Sequence, residues 1–153
     1  MIKNILRTQI ANWQKLNASP GAWLMEEMVV RFGADYPATA LPANFRRMTP
    51  KACFANVRSL VRSRPRMTYV EGYAMRPGIF PVPHAWAVGA DGVAIDPTWE
   101  RSEECEYVGI AFTSDQFCQW KSPYSTSLFD TGRGINFKLA ISFMPEFQKY
   151  LFT

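Results

Sequence analysis

Histidine is almost missing from this chain: of 153 residues, only His84 carries an imidazole. A metal centre built on several histidines is thereby excluded, and any imidazole proton transfer has to run through one position. Cysteine is scarce as well. Cys53, Cys105 and Cys118 are odd in number and lack Cys-X-X-Cys spacing, which argues against a disulfide framework or a zinc knuckle and favours a reducing, cytoplasmic setting. No apolar run approaches the roughly 18 residues of a membrane span. The opening MIKNILRTQIANW breaks its apolar positions with Lys3, Asn4, Arg7, Thr8 and Gln9, unlike a signal peptide. No membrane partner, no metal and no cofactor is expected. Repeats and low-complexity segments are absent too.

What is present suffices for one domain over residues 1–153. The chain is 48% hydrophobic and 14% aromatic, enough for a core but too short for two ordinary domains. The net charge of +4 permits an anionic partner without requiring one.

Along the chain, residues 2–16 place Ile2, Ile5, Leu6, Ile10 and Trp13 near helical spacing. A second helix is expected with Ser19 as N-cap, Pro20 in its first turn and Gly33 past its end. Residues 35–48, with Pro37 and Pro42, read as a loop. Thr49-Pro50 repeats the cap signal and opens a third helix to about Arg62. From Met67 the period changes to that of strands: MTYVEGYAM, then residues 84–88 and 93–96 across a GADG turn, then residues 107–112. Thr113-Ser114-Asp115 caps a short helix over residues 116–120. Residues 121–133 read as a polar loop, and residues 135–150 as a helix interrupted at Pro145. Helices first and an antiparallel sheet after them make an α+β fold, with the N-terminal helices packed on the sheet.

Three residues carry chemistry. Cys53 falls at the end of the first turn of the third helix, where the positive dipole end favours a thiolate. Arg46, Arg47, Lys51, Arg58, Arg62, Arg64 and Arg66 lie in a span without Asp or Glu, which pushes the same way. The plain alternative is a packing cysteine on the apolar side of its helix. The hairpin supplies the partners. Ala90-Asp91-Gly92 suits a three-residue loop with a type I turn and Gly92 left-handed in a bulge. Gly89 then faces Val93, Trp86 faces Asp96, and His84 and Asp96 become diagonal neighbours on one face, within side-chain reach. A carboxylate there fixes the imidazole tautomer and supports its charged form. The alternatives are a core histidine bonded to a backbone carbonyl and an aspartate that merely precedes Pro97.

The order Cys53, VEGYA (residues 70–74), HAW (84–86) and DPTW (96–99) resembles the transglutaminase-like superfamily of papain-fold cysteine enzymes, over about a third of the chain. It is also similar to small uncharacterised bacterial and phage proteins. Members of the superfamily have a cysteine opening a helix, a strand of the GYA kind, HAWVEV and then DPT. The resemblance implies a papain-like core in which Cys53 is the nucleophile, His84 the general base and then acid, and Asp96 the orienter. Trp86, Trp99, Tyr73 and Arg47 would border the substrate. Papain-type enzymes carry a glutamine oxyanion donor before the cysteine, and many transglutaminases an upstream tryptophan. Here Asn44 is the nearby amide. A calcium-loop pattern is absent.

Two functions follow. One is thiol acyl transfer on a protein, peptide or amide-bearing small molecule, with protease or amidase hydrolysis placed ahead of cross-linking. The other is a non-catalytic binding protein, in which the arginines of the third helix receive a phosphate-bearing small molecule or nucleic acid, and Tyr69, Tyr73, Trp86 or Trp99 stacks on a base.

Overall fold

A computed structural model describes residues 1–119, 127–129 and 141–146. The expected loop over residues 121–133 therefore lies outside the described residues except for 127–129, and the expected last helix except for 141–146. In that last stretch residues 141–143 are helical and Met144 breaks the run just before Pro145.

Helix α1 (Ile2–Lys15) buries Ile2, Leu6 and Ile10, four residues apart on one side. The second helix starts later than its cap signal suggested. Pro20–Trp23 forms a 3₁₀ turn, Ser19 makes no side-chain cap, and α2 spans Leu24–Phe32. Gly33 ends α2 in an extended conformation, φ −71° and ψ 142°, not a left-handed one. Close approach demands glycine there, since a Cβ would sit 2.5 Å from the Val29 carbonyl oxygen. The chain runs straight into β1 (Ala34–Tyr36). The sequence predicts a loop here because three residues before a proline are too few to show a period of two.

Helix α3 (Cys53–Ser63) also begins later than expected. Thr49 and Pro50 do not cap it: Lys51 takes a left-handed φ of 62°, and Ala52 becomes the N-cap. Cys53 is thus the first helical residue rather than the end of the first turn. Strands β2 (Thr68–Met75), β3 (Val82–Val88), β4 (Ala94–Ile95) and β5 (Glu106–Ala111) follow, and then α4 (Ser114–Gln119). A capping box opens α4, with Gln116 N–H donating to Thr113 Oγ1 at 3.1 Å and Thr113 N–H to Gln116 Oε1 at 2.9 Å.

The fold is α+β. Its sheet has the order β1-β5-β2-β3-β4 with antiparallel pairing between neighbours. The sheet curls until its edges meet, because Ala38 after β1 makes a parallel bridge to Ala94 of β4. One face, bearing Tyr69, Tyr73, Ala85, Ala87, Val108 and Ile110, packs on the apolar sides of α1, α2 and α3. The inner face bears Val70, Ala74, Trp86, Val88, Ala94 and Tyr107, with Tyr36 and Trp99 against them. His84, two residues before Trp86, points to this inner side.

Candidate active site

The GADG turn sets the register that the site needs. Gly92 N–H donates to the Gly89 carbonyl at 3.1 Å, Gly92 has φ +75°, and Val93 N–H donates to Asp91 Oδ1 at 3.2 Å. Ala87 then faces Ile95 and Val88 faces Ala94. Extending that register by one residue sets Trp86 opposite Asp96 and His84 diagonal to it. His84 Nε2 and Asp96 Oδ2 are 2.8 Å apart, and both side chains are buried.

Asp96 is fully committed. Oδ2 also accepts from the Tyr107 hydroxyl at 2.9 Å, and Oδ1 accepts from the Thr98 and Trp99 amides at 2.8 and 3.2 Å. The aspartate side chain thereby closes a turn on the two residues after Pro97. Burial works against the charge, but the His84 hydrogen bond, the imidazole charge and the Thr98 and Tyr107 donors outweigh it and hold the carboxyl below its usual range. His84 shows the reciprocal effect. Burial disfavours imidazolium, yet the hydrogen bonds to Asp96 and Cys53 and the charges of both push its pKa up to about 9. With Nε2 taken by Asp96, Nδ1 is the nitrogen left for the Cys53 thiol.

The stretch before α3 is stitched to the turn after Asp96, which brings the thiol to this pair. Asn56, three residues into the helix, donates to the Thr49 carbonyl at 2.8 Å and to Thr98 Oγ1 at 2.9 Å. Met48 N–H donates to the Pro97 carbonyl at 2.8 Å. Arg47 donates to the Asp96 carbonyl at 3.1 Å and to the Trp99 carbonyl. Arg47 therefore clips the backbone of residues 96–99 while remaining an exposed residue.

The other expected residues separate. Trp99 is half-buried and stacks on His84 with ring centroids 4.2 Å apart, while the Arg76 guanidinium lies 4.3 Å over its ring. Trp86 is wholly inside the curl, 5.7 Å from Tyr36 and 5.1 Å from Tyr107 between ring centroids. It supports the His84 neighbourhood from within and touches no solvent. Tyr73 points to the opposite, helix-covered face, where burial and the nearby Glu26 charge raise its pKa. Asn44 is at the wrong end of α3: its carbonyl accepts from Arg64 at 2.6 Å, and Arg64 follows the helix's last residue, about 16 Å of helix rise from Cys53. Backbone donors lie nearer the thiol, since α3 has no side-chain cap and the first-turn N–H groups of a helix lack intrahelical partners.

Sequence reasoning overlooked Tyr107 and Asn56. A polar Asn on the buried side of a helix, three residues after the cysteine, is a usable signal for Asn56. Nothing local marks Tyr107.

Among the described residues no helix is long and apolar enough to cross a membrane, and no group of three or more His, Cys, Asp and Glu side chains is arranged to hold a metal ion. Comparison with protein families, with curated proteins and with solved structures returns no match.

Proposed function

We propose that this protein is a thiol-dependent acyl-transfer enzyme of the transglutaminase-like, papain-fold kind. The observation that carries the reading is the buried 2.8 Å His84–Asp96 pair, with Cys53, at the first residue of α3, close enough to the same imidazole to help raise its pKa. A packing cysteine has no need of a charged imidazole, and a packing histidine has no need of a committed carboxylate.

His84 takes the Cys53 proton, and the thiolate forms a C–S bond to an amide or peptide carbonyl carbon. The carbonyl electron pair moves to oxygen, toward the free first-turn amides of α3. Collapse breaks the C–N bond, and the leaving amine takes the proton from His84. Water, deprotonated by His84, then attacks the thioester, and Cys53 leaves as thiolate. The product is a carboxylic acid, so the reaction is hydrolysis, with protease or amidase action placed ahead of transfer to an amine. Asp96 keeps one tautomer and steadies the imidazolium throughout.

Binding of an anion by the arginine-rich span draws less support. Arg58 is buried, Arg47 clips residues 96–99, and Arg64 lies on Phe45 and donates to Asn44, so these three do not share one open cationic face.

Iodoacetamide labelling near neutral pH, with peptide mapping, tests the reading. Cys53 should be alkylated first although Cys118 is the exposed thiol, and Cys53→Ala should abolish turnover on a panel of fluorogenic peptide amides while leaving folding intact. Labelling of Cys118 ahead of Cys53 would sink the proposal.

A further inference from the structure

The oxygen of Asp96 that holds His84 has a second partner which the catalytic reading does not use. The Tyr107 hydroxyl donates to Oδ2 at 2.9 Å, beside the 2.8 Å contact from His84 Nε2. Tyr107 is 2% exposed and reaches this point from β5, where it pairs with Ala74 of β2. Its ring packs between Trp86 and His84, with centroids 5.1 and 6.4 Å away. A phenol held there has no packing need for its hydroxyl, and phenylalanine would fill the same volume.

We infer that Tyr107 is a positioning residue of the site, whose hydroxyl holds Asp96 Oδ2 against His84 Nε2 and, by drawing charge from that oxygen, sets how tightly the imidazole keeps its proton. The catalytic value of this role rests on the acyl-transfer reading. An imidazole that binds its proton too firmly returns it slowly to a leaving amine, and one that binds it too weakly leaves the thiol protonated. The titratable and charged groups facing this cluster are Cys53 from α3, Asp96 from the turn after β4, Cys105 beside Tyr107, and Arg76 at the end of β2 across Trp99. Burial first, and then the Asp96 and Cys105 charges, drive the Tyr107 phenol far above its ordinary range. It therefore stays a donor through the working pH range.

The single histidine makes the test direct, because one ¹³C-labelled imidazole reports His84 alone. Tyr107→Phe removes the donor, concentrates charge on Oδ2 and should raise the His84 titration midpoint by roughly half a pH unit. Placing 3,5-difluorotyrosine at position 107 strengthens the donor and should lower the midpoint. Should Tyr107→Phe fail to fold, the fluorinated variant carries the sign by itself. A midpoint that stays in place, or moves in the same direction in both, overturns the inference. Iodoacetamide labelling of the same samples keeps the two proposals apart. An inert Cys53 counts against acyl transfer, whereas an immobile His84 midpoint counts against Tyr107.

Discussion

Two carboxylates of this protein are equally deep in the fold and behave in opposite ways. Glu71 and Asp96 are both 0% exposed, and each accepts from four donors. Glu71, on the helix-covered face, takes the Tyr69 hydroxyl and the Leu128 amide at 2.7 Å, the Phe129 amide at 3.2 Å and the Ser127 hydroxyl. Asp96, on the inner face, takes two amides, a phenol and an imidazole. Burial raises the Glu71 pKa, and its neutral donors only soften the rise. Burial opposes ionisation of Asp96 as well, yet its pKa falls, because one of its four partners can carry a full positive charge. Hydrogen bonds alone make a buried carboxylate a clasp, here holding residues 127–129 to the sheet. An imidazole among the donors makes it an electrostatic partner for chemistry.

Removing the imidazole should break this contrast most severely. His84→Ala strips Asp96 of its cation and, on the acyl-transfer proposal, Cys53 of its base, and the rate of Cys53 alkylation near neutral pH should fall by about two orders of magnitude. A variant that alkylates at the wild-type rate would place the source of thiol reactivity elsewhere. The clasp should fail differently. Glu71→Ala takes away the carboxylate to which a buried phenol, a hydroxyl and two amides donate, and should cost about 3 kcal/mol in urea unfolding. The folded protein should still alkylate Cys53 normally, and a matching loss of reactivity would mean that the two faces are coupled.

The smallest expected effect is a pH dependence whose sign differs at the two sites. His84 rises from 6.5 to about 9 on folding, so its contribution to stability is complete below pH 6.5 and is lost as pH climbs through 9. Asp96 is lowered from 3.8, so its contribution is present above that value and fades on acidification. Glu71 is raised from 4.5, so its contribution is greatest in acid and declines once pH passes 4.5. Urea unfolding free energies between pH 6.5 and 9 should therefore fall by on the order of 2 kcal/mol in the wild type and by clearly less in His84→Ala. An equal slope in both would remove His84 as its cause.

Much of this site was legible because it is local. The His84–Asp96 diagonal depends on the length of one turn and on a glycine that accepts positive φ, both written in four consecutive residues. The capping box of α4 is equally local. The start of α3 misled, because Thr49-Pro50 has the chemistry of a cap while tertiary bonds from Asn56 and Met48 pull that stretch toward Thr98 and Pro97 and force Lys51 left-handed. Asn44 misled for the same reason: nearness in sequence to Cys53 says nothing about which end of α3 its loop will meet.

Residue types and spacing by themselves determined that there would be helices before an antiparallel sheet, one imidazole beside one carboxylate, and a cysteine near the start of a helix, since all of these follow from propensity, period and turn length within a few residues. Only the tertiary structure decided that β5 would slot between β1 and β2, that the sheet would curl until Ala38 met Ala94, and that Tyr107 would thereby reach Asp96 while Tyr73 faced away. Strand order joins residues distant in the chain, and it is chosen by which apolar faces bury best together, a property of the assembled core that no single segment carries.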